Sequence, residues 1–403
     1  MSSNTSINEP LKRTHPEVGG DSPESTHGLT CWIEHQVLPF ASLLPEKEQA
    51  RIWHIIDTKT KPPGALGVLE PLAALLVSCA CARTPAANEK PTKEASRRNP
   101  QAGNFPRAPQ VLIFGGDHGI AAEGVSIATS EVTAQMVETI VSGGASVSVC
   151  AAQADIPVDV VDCGILHANT ISESIGKQLI NCRLGDITGA IHRHDAMSFE
   201  QACQGLDNGR LLAKTRCQAG MDLLCVGEIG IGNTSAAAAL MAGLTGVDIE
   251  QCVGRGTGVS ESALQYKKQL LKAALARVGS IDDQHPLKIA AQLGGFELVT
   301  MAGAMIGAVE RQVPVVIDGF VSSVCALLAC RLVPDVRDYL IFSHQSDEQG
   351  HALLLEQFKA RPLMTLGLRI GEGTGAVLAV PLLRSSLACY NDMASFTQAG
   401  ISL

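Results

Sequence analysis

Apolar residues fall in two rhythms along this chain, and the change between them divides it. Across residues 44–81 they recur at helical spacing, with a break at Lys61-Pro62-Pro63-Gly64, where two prolines remove backbone donors and force a turn. Residues 83–109 are polar, carry prolines and basic residues, and show no periodicity, which predicts a peripheral surface insertion. From residue 110 short apolar runs (111–114, 158–161, 222–226, 313–317 and 339–342) alternate with longer stretches of Ala-rich helical spacing, such as 233–244 and 264–278. Most runs are followed at once by Gly, Asp, Glu, Ser or His, as expected of buried parallel strands whose ends carry polar groups. The alternation predicts an α/β fold built on a Rossmann-like, doubly wound parallel sheet with right-handed crossovers. Residues 376–393 are again helical and are expected to pair with the N-terminal helices in a small helical domain.

The expected layout has five parts. Residues 1–30 form a disordered N-terminal tail, being polar and Ser/Pro/Glu-rich without the apolar stretch of a signal peptide. Residues 31–82 form a helical segment of the small domain, 83–109 the loop insertion, 110–375 the α/β catalytic domain, and 376–403 the C-terminal helical segment.

Composition narrows the function. A hydrophobic fraction of 46% can build a full core, while charged residues make up only 18% of the 403. A net charge of −9 argues against a nucleic-acid-binding protein, which needs a basic patch to displace counterions. No apolar run approaches the roughly 20 residues of a membrane-spanning helix. The thirteen cysteines are odd in number, scattered, and set mostly in apolar stretches, so they are expected to be reduced core thiols in a cytoplasmic protein.

Four glycine-rich turns carry the candidate chemistry. They are Gly115-Gly116-Asp117-His118-Gly119, Gly227-Glu228-Ile229-Gly230-Ile231-Gly232-Asn233-Thr234, Gly254-Arg255-Gly256-Thr257-Gly258 with Lys267 beyond it, and Gly371-Glu372-Gly373-Thr374-Gly375. Glycine lets backbone N–H groups approach an anion, and a following helix N-terminus adds partial positive charge. Gly232-Asn233-Thr234, opening an Ala-rich helix, suits a phosphate cradle, and Gly254, Gly256 and Lys267 suit a second wall around it. Glu228 and Glu372 are lone carboxylates among glycines and apolar residues, poorly solvated and suited to proton transfer. The second turn is not a dinucleotide fingerprint, because an acidic residue occupies the place where a pyrophosphate would approach, and no P-loop is present.

Metal and covalent chemistry find less support. Asp117-His118 and His192-Arg193-His194-Asp195 offer ligand types without a recognised metal-binding spacing, and the latter reads as solvated surface. His344, beyond the run 339–342, falls near a strand end, where a lone histidine usually serves local hydrogen bonding. No G-x-S-x-G elbow is present. Neither a metal nor a cofactor is expected.

Taken in order, Lys61-Pro62-Pro63-Gly64-Ala65-Leu66-Gly67, Gly116-Asp117-His118-Gly119, the Glu228 turn, the Gly254 turn, Gly294-Gly295-Phe296-Glu297, Asp318-Gly319-Phe320 and the Glu372 turn form a signature. It resembles that of the nicotinate-nucleotide:dimethylbenzimidazole phosphoribosyltransferase family, from about residue 44 to about 391. The resemblance implies transfer of phosphoribose from nicotinate mononucleotide to 5,6-dimethylbenzimidazole, yielding α-ribazole 5′-phosphate and nicotinate for the nucleotide loop of cobalamin. It also implies a homodimer, with Glu372 as general base and Glu228 as a second functional carboxylate. Gly227, Gly230, Gly232, Asn233, Thr234, Gly254, Gly256, Lys267, Gly371 and Gly373 would hold the substrate and its phosphate.

Two positions depart from the family pattern. Ala128 and Met136 stand in the acceptor-base pocket where polar side chains are common, so the resemblance leaves the acceptor open. The alternatives are a transferase of the same fold using a phenol or purine acceptor, and a non-catalytic binder of the nucleotide or base. Retention of both glutamates speaks against the second. Ser260 also replaces a common acid, with no role apparent in the sequence.

Overall fold

The computed structural model describes residues 44–83, 103, 105–254, 260–280 and 284–402. The tail 1–30, residues 31–43 of the expected helical segment, and most of the 83–109 insertion lie outside the described residues.

Two helices, α1 (Glu46–Asp57) and α2 (Leu69–Ala82), flank the Lys61–Gly67 turn. Strand β1 (Pro109–Gly116) leads to α3 (Glu131–Val141), α4 (Ser146–Gln153), β2 (Val158–Gly164) and the two-residue β3 (Ile180–Asn181). Then follow α5 (Phe199–Gln218), β4 (Leu223–Ile229), α6 (Asn233–Thr245), α7 (Glu261–Val278), α8 (Pro286–Leu293) and α9 (Phe296–Val309). The chain continues through β5 (Val315–Ile317), α10 (Phe320–Leu332), β6 (Leu340–Phe342), α11 (Gln349–Gln357) and α12 (Thr374–Asp392). Every strand pairing is parallel, in the order β3-β2-β1-β4-β5-β6.

This is the doubly wound order, and all five expected strands are in it. β3 has no counterpart among them because Ile180–Asn181 is too short to make a pattern. The order reverses between β1 and β4, which opens a crevice beyond the carboxyl ends of those strands where ligands bind in such sheets.

Strand alternation sends successive side chains to opposite faces. Val111, Ile113, Leu223, Cys225 and Val316 join Ala376, Val377, Val380 and Leu383 of α12 and Leu76 and Val77 of α2 in one buried cluster. Across the sheet, α9 is buried along its whole length, including Glu297. Where it meets α5, a Cβ added at Gly209 would reach Ala304 N at 2.8 Å, so glycine sets how closely these helices approach. α6 is likewise almost wholly buried, apolar round its circumference as an interior helix must be.

The chain ends meet. Ser386 Oγ of α12 donates to Leu69 O at 2.7 Å, and Lys59 Nζ donates to Met393 O at 2.6 Å. The last residues of the expected insertion belong to the fold: Phe105 is buried in the core, and the Asp222 carboxylate accepts the N–H groups of Arg107 (2.7 Å) and Ala108 (2.9 Å).

Candidate active site

Glu228 is the penultimate residue of β4. It keeps some solvent access, and its Oε2 accepts a short hydrogen bond from the Asn233 side chain. Asn233 can reach back because Gly232 turns the chain at φ +97°, in the left-handed region that favours glycine, just before α6 begins. Burial pushes the Glu228 carboxyl up to about 8, helped by the charges of Asp318, Glu297 and Glu372.

Glu372 lies directly against it. It is buried, and at φ +68° it is one of four non-glycine residues with positive φ among those described. That conformation is costly for an L-residue with a side chain and persists only where its surroundings hold it. Here its N–H donates to the Glu228 carbonyl at 3.2 Å. A Cβ on Gly227 would collide with the Glu372–Gly373 peptide, and one on Gly371 with the Glu228 carboxylate. The two turns therefore interlock through gaps only glycine leaves. Among the described residues Glu372 Oε2 has no hydrogen-bond partner, and burial raises its proton affinity.

Asp318, just past β5, is the anchor of the second turn. Its Oδ2 accepts from Gly373 N at 3.1 Å and its Oδ1 from Ala376 N at 3.1 Å, with Gly375 N adding a third donor. It thus caps α12 from outside the helix, whose own N-cap, Gly373, has no side chain to do so. Burial pushes Asp318 up to about 7 against these donors. His344, just past β6, is fully buried with Nδ1 3.9 Å from Asp318 Oδ1. Burial drives it down to about 4, so it is neutral, and Ser343 Oγ lies 3.0 Å from its Nδ1. A second buried pair, His118 Nε2 to Glu297 Oε1 at 2.7 Å, lies beneath the Glu228 turn.

The phosphate-type residues gather at the start of α6. Lys267, on α7, is 2% exposed, and its Nζ donates to Thr234 Oγ1 at 3.1 Å. Burial lowers the ammonium to about 8, with Glu348 acting in the opposite sense. A buried cation beside the N-terminus of α6 makes a site for an anion. Gly254, expected as a second wall, lies against the Glu348 carboxylate, which a Cβ there would strike. Gly256 lies outside the described residues. Gly230 rests on the Gly116 backbone. Beside it, Thr133 Oγ1 receives the N–H of Ile231 at 3.2 Å and donates to Asp117 Oδ1 at 2.6 Å, bracing the turns beyond β1 and β4 together.

Ala128 precedes α3 and Met136 lies on it, one turn beyond Thr133; both are half-buried. The solvated-surface reading of His192–Asp195 needs correction at one residue. The His192 side chain is only 7% exposed, 3.5 Å from Glu123, whereas Arg193, His194 and Asp195 are exposed and Asp195 is paired with Arg277. Ser260, unassigned in sequence, is the N-cap of α7, its side chain accepting from Ala263 N. The described cysteines are all free thiols, and among the described residues no group of three or more His, Cys, Asp or Glu is placed to hold a metal ion. Sequence reasoning passed over Asp318 and Glu297 as site residues. The signal for them in sequence is their place in Asp318-Gly319-Phe320 and Gly294-Gly295-Phe296-Glu297.

Residues 43–401 match the family model described as "Phosphoribosyltransferase". The nicotinate-nucleotide–dimethylbenzimidazole phosphoribosyltransferase of Shewanella baltica (strain OS223) is 49% identical over 346 residues, covering 86% of this chain and 92% of that one. The enzyme of the same name from Vibrio vulnificus (strain CMCP6) is 46% identical over 361 residues, 90% of this chain and 100% of that one. Among solved structures, CobT from Thermus thermophilus superposes with a TM-score of 0.78 at 38% identity, covering 88% of this chain and 99% of that one. With the two carboxylate turns assembled at the switch point of a doubly wound sheet, these likenesses place the chain in the nicotinate-nucleotide–dimethylbenzimidazole phosphoribosyltransferase family.

Proposed function

We propose that this protein transfers phosphoribose from nicotinate mononucleotide to 5,6-dimethylbenzimidazole, giving α-ribazole 5′-phosphate and nicotinate. The observation that carries the mechanism is the buried Glu372 carboxylate, whose Oε2 has no hydrogen-bond partner among the described residues, held against Glu228 beyond the switch-point strands.

The chemistry fits these groups. The pyridinium of nicotinate mononucleotide is already a cationic leaving group, so the C1′–N bond breaks with its electron pair passing to the pyridine nitrogen. A nitrogen of the benzimidazole attacks C1′ from the opposite face, converting a β- into an α-linkage. The other ring nitrogen then becomes acidic, and Glu372 takes its proton and passes it to solvent. General-base assistance is worth about 10²–10⁴ in rate, so positioning of the two rings supplies much of the remainder. Lys267, Thr234, Asn233 and the amides at the start of α6 hold the phosphate. Glu228, which keeps its proton near neutrality, serves as a hydrogen-bond donor beside the reacting rings.

Incubation with nicotinate mononucleotide and dimethylbenzimidazole in EDTA should release nicotinate in step with α-ribazole 5′-phosphate. Nicotinate release independent of added base would make the protein a hydrolase and overturn the transferase reading. A homodimer in the cytoplasm, with α1, α2 and α12 acting as a small helical domain, completes the proposal. The chain ends pack on each other through Ser386 and Lys59 while sharing the core of the sheet, and light scattering of the purified protein tests the dimer.

A further inference from the structure

We propose that Asp318 is a positioning residue for Glu372, holding its turn in the reactive conformation and setting the proton affinity of the carboxylate pair with its charge. This inference rests on the reading of Glu372 as general base. The geometry is specific. Glu372 and Gly373 take consecutive positive φ values, +68° and +86°, which the chain does not hold unaided. Asp318 gathers the N–H groups of Gly373, Gly375 and Ala376, the residues that close this turn and open α12. The place is built for it: a Cβ on Gly375 would lie 2.8 Å from Asp318 Oδ1 and collide with His344. Asp318 is 1% exposed, so its charge acts through protein rather than water.

The groups facing the pair come from every neighbouring strand end. Glu228 follows from β4, Asp318 from β5, neutral His344 from β6, and Glu297 with His118 from beneath. None of the carboxylates is offset by a lysine or arginine among the ion pairs of the described residues. Asp318 therefore repels charge on Glu228 and Glu372 and makes them stronger bases. It is itself held ionisable by the three N–H donors.

Kinetics of Asp318→Asn, Asp318→Glu and Glu372→Gln over pH 5–9, with melting temperatures, test this. Asn keeps the shape but turns an amide toward an N–H donor and removes the charge. Its kcat should fall about 10²-fold, as small displacements of reacting groups do. The KM for nicotinate mononucleotide should change less than threefold, and the acid limb of kcat should move about one pH unit lower. Asp318→Glu keeps charge and acceptor, so its acid limb should stay at the wild-type position while kcat falls. Asp318→Asn with wild-type kcat and acid limb, beside an inactive Glu372→Gln, would overturn this inference alone. Loss of kcat with an unmoved acid limb and a lower melting temperature would mark a purely structural cap and also overturn it. If Asp318→Asn does not fold, a shifted acid limb in the charge-retaining Asp318→Glu overturns it. A wild-type rate in Glu372→Gln would instead remove the base reading on which it stands.

Discussion

The backbone N–H of Glu372 donates to the carbonyl of Glu228 at 3.2 Å, so two turns 144 positions apart in sequence form a single structural unit. Because the contact is between main chains, it survives substitution of either carboxylate. Side-chain chemistry can therefore be altered at either position without separating the turns, which makes the mutational tests clean.

Glu372→Gln should keep the fold and nucleotide binding while kcat falls about 10²–10⁴-fold, since an amide cannot accept the proton. Glu372→Gly should be equally inactive yet more stable by about 1 kcal/mol, because glycine adopts φ +68° without the steric cost an L-residue bears. Steady-state assays and denaturant melts of both variants check this. A Gly variant less stable than wild type would show that the Glu372 side chain contributes to folding.

Above about pH 6.5, where the buried, neutral His344 and His351 no longer oppose the trend, stability should decline as pH rises to about 8. Glu228 and Asp318 are pushed up to about 8 and about 7, so the folded protein binds more protons there than the unfolded chain, whose carboxyls titrate near their ordinary range. The stability associated with the protonated forms is complete below the unfolded values and lost as pH passes through the folded ones. Glu228→Gln should flatten this slope. Melting temperatures across the range, compared between wild type and variant, decide it; identical slopes would place the Glu228 proton elsewhere.

Lys267→Met keeps the buried stem and removes the charge, so KM for nicotinate mononucleotide should rise about 10- to 150-fold, equivalent to a charged hydrogen bond of about 1.5–3 kcal/mol. Binding of the neutral base should change little. Since burial lowers the ammonium to about 8, wild-type KM for the nucleotide should also climb above that pH. Equal weakening toward both substrates would point to a general defect instead.

Gly227→Ala should destabilise the protein by about 1–3 kcal/mol and lower kcat, because the new methyl meets the Glu372–Gly373 peptide rather than a flexible side chain. Chemical melts and initial rates measure both. A neutral outcome would mean the two turns separate more easily than their interlock implies.

Acceptor selection should be loose. Met136 is flexible and imposes no hydrogen-bond geometry, and Ala128 adds none. Dimethylbenzimidazole and benzimidazole should differ by no more than about 10²-fold in kcat/KM, with adenine poorer because its amine would be buried unpaired. Competition between equimolar bases measures this, and a preference for adenine would show polar groups in the pocket.

Much of this was legible along the chain because it is written locally. Apolar runs such as those at 111–114 and 223–226 call for burial on both faces, which is what a central parallel strand provides. A carboxylate set among glycines and apolar residues, as at Glu228 and Glu372, cannot be shielded by its own neighbours, so its exposure to special chemistry is visible in sequence. Other features have no local signature. Glu297 sits in a helix buried along its whole length, and its carboxylate meets His118, 179 positions away in sequence. Asp318 reads as an ordinary turn residue until α12 returns from 55 positions further on to present its N–H groups. His192 looks solvated until the surrounding loops close over its ring. Hydrophobic periodicity specifies which residues leave water, but not which distant backbone or charge they meet there. That was decided by strand order, which sets the ends of β1, β4, β5 and β6 side by side and brings separate turns into hydrogen-bonding range.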